Sequence, residues 1–147
     1  SPVMIDAKNP LYSVNGVFNA IFIHGNVLGD AMFYGSGAGK LPTASAVVAD
    51  VVDCAKNKGR NIMMSWSEEK LDLLQIDDVK SRFFVRVSGH AAERQSEIEE
   101  LFGKVEIVAV PSLSEEFAFI TGEITEQEYR EKAEKLDGIQ SRIRARI

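Results

Sequence analysis

The spacing of apolar residues changes repeatedly along this chain, and each change marks an element. Residues 14–34, VNGVFNAIFIHGNVLGDAMFY, hold two apolar, aromatic-rich runs around His24-Gly25-Asn26. Turn residues between alternating runs predict a β-hairpin. In the first run Val17, Asn19, Ile21 and Ile23 share one face, and Phe18, Ala20 and Phe22 share the other. Both faces are largely apolar, so the hairpin needs cover on both sides. Two strands cannot cover themselves, and the expectation is that further polypeptide does so. In residues 43–57, Ala44, Val47, Val48, Val51, Val52 and Ala55 make a single helical stripe. Thr43 is placed to cap that helix through its hydroxyl, and Gly59 to follow its end.

Residues 59–80 show no clean period. Met63, Met64, Trp66, Leu73, Leu74 and Ile76 are expected to pack along the neighbouring elements rather than hang in solvent. Residues 1–13 carry two prolines and read as an extended lead-in.

From residue 81 onward the pattern is that of a β-α-β-β-α-β unit. Phe83, Val85 and Val87 alternate with Phe84 and Arg86, and a short helix follows with Ile98, Leu101 and Phe102 on one side. Residues 104–110 and 116–124 read as two strands. A second helix opens on Thr125 with Glu128 three residues later, a capping-box signature, and buries Tyr129, Ala133 and Leu136. In the last strand Ile139, Ile143, Ala145 and Ile147 are expected inward, and Gln140, Arg142, Arg144 and Arg146 toward water. The sum is an α+β chain: a hairpin and helix in residues 1–60, a connector in 61–80, and a four-stranded antiparallel sheet with two helices on one face in 81–147.

Composition narrows the function classes. The net charge of −5 argues against a nucleic-acid partner, since phosphate binding rests on clustered Lys and Arg. No apolar run reaches membrane-spanning length. The single cysteine, Cys54, permits no intrachain disulfide, which fits a cytoplasmic setting, and it reads as a small core residue. One cysteine with two distant histidines, His24 and His90, makes no zinc site.

The candidate chemistry lies in residues 33–50, FYGSGAGKLPTASAVVAD. Gly39-Lys40 has the form of a phosphate-loop step, but Tyr34 stands where its first glycine belongs and Leu41 where its hydroxyl belongs. The dinucleotide fingerprint fails at Lys40, its sixth position. The segment is therefore not a self-contained nucleotide fold. Gly35, Gly37 and Gly39 still permit close backbone approach ahead of a helix amino end that favours anions. A tight strand-to-helix connection accounts for the same glycines.

Residues 9–22 (NPLYSVNGVFNAIF), 29–53 (GDAMFYGSGAGKLPTASAVVADVVD) and 76–87 (IDDVKSRFFVRV) resemble the carboxy-terminal part of bacterial homoserine dehydrogenase. The element order after residue 80 resembles an ACT domain, a small ferredoxin-like regulatory fold. The resemblance implies an oxidoreductase that interconverts aspartate semialdehyde and homoserine with NADP or NAD. It implies that the Rossmann domain and the catalytic residues lie upstream, so that none of the catalytic residues is here. It implies that the loop at Gly37, Ala38 and Gly39 faces the nicotinamide side of the cofactor. A homodimer is expected, with no metal. ACT domains take small effectors near their first strand-to-helix turn, here Gly89, His90 and Ala91, and threonine is the effector the family implies. The Pro-Gly step usual at that turn is absent, with only Gly89 kept. On this reading the chain is an enzyme piece, inactive alone. The rival reading is a stand-alone amino-acid sensor or dimerisation module.

Overall fold

The alternation in residues 81–87 becomes β4 (Lys80–Ser88), in which Phe83, Val85 and Val87 have no exposed surface. Against them pack Ile98 and Phe102 of α2 (Ala91–Phe102), Phe117 and Phe119 of β6 (Glu116–Ile120), and Tyr129 of α3 (Glu126–Ala133) with Leu136 beyond it. Burying each large apolar side chain is worth about 1.5–3 kcal/mol over leaving it in water. Both helices therefore lie on one face of the sheet, as their stripes require. The computed structural model describes residues 1–60 and 63–147. It separates into two compact units, Ser1–Asp6 with Asp72–Ile147, and Ala7–Leu71.

In the larger unit the strands lie in the order β1-β8-β4-β6-β5, where β1 is Val3–Ile5, β5 is Glu106–Val108 and β8 is Ile139–Arg146. A two-residue β7 (Ile124–Thr125) pairs with the start of β4. Thus the segment expected as one strand over 116–124 is broken. Its break is bridged by Thr121, whose amide donates to the Phe83 carbonyl at 3.0 Å while its hydroxyl accepts from the Phe83 amide at 2.9 Å. β5 is shorter than residues 104–110 predicted, three residues in all.

The extended lead-in has a role that no local pattern announced. Val3, Met4 and Ile5 pair in parallel with Arg144, Ala145 and Arg146, so residues 1–6 join the sheet at the far end of the sequence.

The last strand corrects the expected facing. Register shifts between Arg86 and Val87, so Val87 opposes Ile139 while Arg86 opposes Ser141. One inserted residue turns every later side chain to the other face. Arg142 and Arg144 then oppose Val85 and Phe83 on the helix-covered face, and Ile143 and Ala145 stand on the opposite one. The arginines do not all face water: the Arg144 side chain is 17% exposed.

The smaller unit holds β2 (Phe18–Gly25) and β3 (Gly29–Ser36), an eight-residue antiparallel hairpin closed at 26–28, then α1 (Lys40–Lys56). Ile21 and Phe33 oppose each other on one face, each 65% exposed. Phe18 and Tyr34 stack at 5.1 Å on the other, and both are exposed. No residue of α1 is buried. Cys54 is exposed too, which corrects its reading as a core residue: the helix stripe has no core against it.

The connector also departs from expectation. Residues 61 and 62 of it lie outside the described residues. Residues 63–75 form neither helix nor strand, and Met63, Met64, Trp66, Leu73 and Leu74 are exposed rather than packed.

Candidate functional site

The glycine-rich loop joins β3 to α1. Gly37, Ala38 and Gly39 are all exposed at the amino end of a 17-residue helix. Gly39 has φ of 117°, open to glycine and hostile to L side chains, and it occupies the N-cap position without a side-chain cap. The helix starts at Lys40, three residues before its predicted start, and Pro42 falls in its first turn, where a missing amide costs nothing. Thr43 is therefore not the cap. Its hydroxyl donates backward to the Gly39 carbonyl at 2.9 Å.

A first turn free of acidic side chains, whose leading amides have no partner within the helix, suits the anionic or carboxamide part of a ligand. Gly37 has a second reason to be glycine. A Cβ there would stand 2.4 Å from Nδ2 of Asn19, so the loop is closed against β2. The alternate glycines thus do unlike work: Gly37 admits a neighbouring side chain, Gly39 turns the backbone, and a Cβ at Gly35 would meet open space.

A second candidate surface lies in the larger unit. Gly89, His90 and Ala91 line one wall of a groove of about 340 Å³, and Val110, Pro111, Leu113 and Glu116 line the other. The Gly89 amide donates to the Glu115 carbonyl at 2.8 Å, which removes it as a ligand donor. His90 is the exposed N-cap residue of α2, with no side-chain cap bond of its own. The first two amides after it, of Ala91 and Ala92, open the helix without intrahelical partners, whereas those of Glu93 and Arg94 donate to the His90 carbonyl.

Two groups missed by sequence reasoning organise this unit. Arg94, whose side chain is 18% exposed, donates to the Ser88 carbonyl at 2.9 Å and the Asp137 carbonyl at 3.0 Å, and pairs with Glu97. It fixes the groove's turn to the loop before β8. Glu126, 5% exposed, receives Arg142 on one oxygen and Arg144 on the other, both at 2.5 Å. Burial alone would raise its pKa, but the hydrogen bonds and charges of the two arginines outweigh that and hold it below the ordinary value. Arg142 also lies 4.7 Å from the Tyr129 ring centre and 5.5 Å from that of Phe83. Burial pushes the Tyr129 hydroxyl upward in pKa. Acidic and basic residues at such separations carry no local period, so only the fold discloses them.

The loop, the hairpin and most of α1 coincide with a known family segment. Residues 1–52 match the homoserine dehydrogenase family. The homoserine dehydrogenase of Lactococcus lactis is 41% identical over 90 residues, which are 59% of this chain and 21% of that protein. That of Corynebacterium glutamicum is 54% identical over 57 residues, 39% of this chain and 13% of that protein. Among solved structures, S. aureus homoserine dehydrogenase at pH 6.0 superposes over 99% of this chain and 37% of its own, with a TM-score of 0.72 and 26% identity. The chain spans about a fifth of the first of these curated relatives. No described helix is long and apolar enough to cross a membrane, and no cluster of metal-ligating side chains occurs among the described residues.

Proposed function

We propose that this chain is the carboxy-terminal part of a homoserine dehydrogenase, comprising the end of the catalytic domain and an ACT-type regulatory unit. The observation that carries the reading is the hairpin: it is apolar and exposed on both faces, and it sits inside the segment matching the family. Such a ribbon is built to be enclosed by more polypeptide. The strand order β8-β4-β6-β5 in the larger unit, with both helices on one face, supports reading it as an ACT-type, ferredoxin-like unit.

In the whole enzyme the loop at Gly37, Ala38 and Gly39 would meet the nicotinamide part of NADP or NAD. That cofactor supplies the hydride. This chain's own contribution is the backbone at Ala38 and Gly39 and the positive end of α1, which position a polar group and exclude side chains from the approach. The enzyme would be a cytoplasmic homodimer. The groove at Gly89, His90 and Ala91 is where threonine or another amino-acid effector would sit.

The deciding assay is NADPH-dependent reduction of aspartate semialdehyde. The isolated chain is expected to show no turnover, and joining it to the upstream portion of a family member should support turnover. Activity of the chain alone, or no activity in the joined protein while its other segments fold, would overturn the reading. The rival, a stand-alone sensor, is favoured only by the groove. It predicts a calorimetric response to threonine together with an oligomer that buries residues 14–34.

A further inference from the structure

The inference concerns residues 1–6 and holds whether or not the enzyme reading does. Three observations converge on them. First, β1 contributes only three residues of parallel pairing, at the sheet edge and on the outer side of β8. So short a strand has few bonds to set against the conformational freedom it gives up. Second, Arg144 reaches past that pairing to the Ser1 hydroxyl while two of its nitrogens, Nε and Nη2, donate to a single oxygen of Glu126 at 2.9 and 2.5 Å. Glu126 thereby aims a side chain that reaches the start of the lead-in. Third, the pairing registers put both exits from the sheet at one end. Ile5 opposes Arg146, and Arg82 opposes the adjacent Ala145, so the chain leaving after residue 6 and the chain returning into β4 pass the same sheet end.

We propose that residues 1–6 are a releasable strap, and that the Glu126–Arg144 pair is the latch that keeps it on the sheet. With the latch closed, Val3, Met4 and Ile5 stay paired to β8. With it open, that pairing is free to leave the sheet edge. The latch is shared with the core, since Arg142 takes the other Glu126 oxygen and lies over Tyr129 and Phe83. A change in α3 or β8 can therefore reach the strap without passing through residues 7–71.

Hydrogen exchange read by mass spectrometry tests this on the chain of residues 1–147 and on the variants Arg144→Gln and Glu126→Gln. The strap proposal expects amides of residues 3–5 to be protected in the parent and to exchange at least tenfold faster in Arg144→Gln, with residues 83–87 unchanged. Arg144→Gln leaves the Arg142–Glu126 pair in place and is the deciding variant if Glu126→Gln loses the fold. Three results would overturn the proposal: no protection of 3–5 in the parent, unaltered protection in Arg144→Gln, or equal loss at 3–5 and 83–87 in Arg144→Gln.

Discussion

Glu126 and Arg144 lie 18 residues apart in sequence and meet through Nε and Nη2 on one carboxylate oxygen, at 2.9 and 2.5 Å. Glu126 stands at the first position of α3, directly after the Thr125 cap, and is 5% exposed. Its charge also answers the positive end of that helix. One carboxylate thus serves the helix start, two arginines of β8 and, through Arg144, the lead-in strand.

Replacing Glu126 with Gln is expected to cost about 3 kcal/mol, the low end for breaking a buried pair, because it leaves two guanidinium groups close together without their counter-charge. The low end is chosen because the Arg142 side chain is 41% exposed and solvent screens its share. Chemical denaturation of the larger unit measures this. A loss under 0.5 kcal/mol, the size of an ordinary surface change, would mean the carboxylate is not a hub.

The same residue sets an acid limit. Its folded pKa is held below the ordinary 4.5, so the unfolded chain binds the proton more readily. The stabilisation is fully present above 4.5 and is lost as pH falls through the lowered folded value. Glu128, held low chiefly by the Thr125 backbone amide, acts in the same direction. Melting temperature should be level on lowering pH from neutrality and should drop below pH 4.5, and the drop should shrink in Glu126→Gln. A variant curve parallel to the parent's would contradict this.

The glycine loop makes a contrast between two alanine substitutions. Gly39→Ala forces a side chain into φ of 117° and should cost about 1–3 kcal/mol. Gly37→Ala meets only the Asn19 side chain, which is exposed and can swing away, and should cost less, about 0.5 kcal/mol. Proteolytic susceptibility of the smaller unit ranks the two. The reverse order would place the strain in the wrong residue.

Gly138 tests the clamp made by Arg94. Its φ is 76°, and a Cβ would stand 2.4 Å from the Ser88 hydroxyl and 3.2 Å from Arg94. Gly138→Ala should destabilise by about 2–3 kcal/mol, combining backbone strain with the clash. Adding Ser88→Ala should restore part of this, the steric share, and leave the backbone share. Full restoration by the double variant would show that backbone conformation contributes nothing there.

The exposed ribbon predicts association. Ile21 and Phe33 form an apolar cross-strand pair in solvent, and Met32, Phe18 and Tyr34 repeat the condition on the other face. Light scattering of the chain should report species above a single copy at micromolar concentration, and Ile21→Thr with Phe33→Thr should reduce them. A strictly single-copy parent would mean the ribbon needs no cover.

Much of the architecture was legible residue by residue because its causes are local. The Thr125–Glu128 capping box forms with both reciprocal bonds. Phe83, Val85 and Val87 are buried because a strand alternates and one side of it meets the helices. The hairpin was legible from its two apolar runs, but the turn closes at residues 26–28 rather than at His24-Gly25-Asn26, since His24 and Gly25 pair with Asp30 and Gly29. The glycine loop was visible as a place of close approach, but the reason at Gly37 was not, since Asn19 comes from another strand.

What only the tertiary structure decided are relations between residues far apart in the chain. The alternation of residues 139–147 was plain, yet it could not say which face was inward, because a single register shift opposite Arg86 and Val87 reverses it. Nor could residues 3–5 announce a strand whose hydrogen-bonding partner lies about 140 residues away, at the other end of the chain. Hydrophobic period and capping act within a few residues and can be read from order alone. Register, edge pairing and the burial of a charge depend on which distant backbone arrives alongside, and that is settled only when the chain has folded.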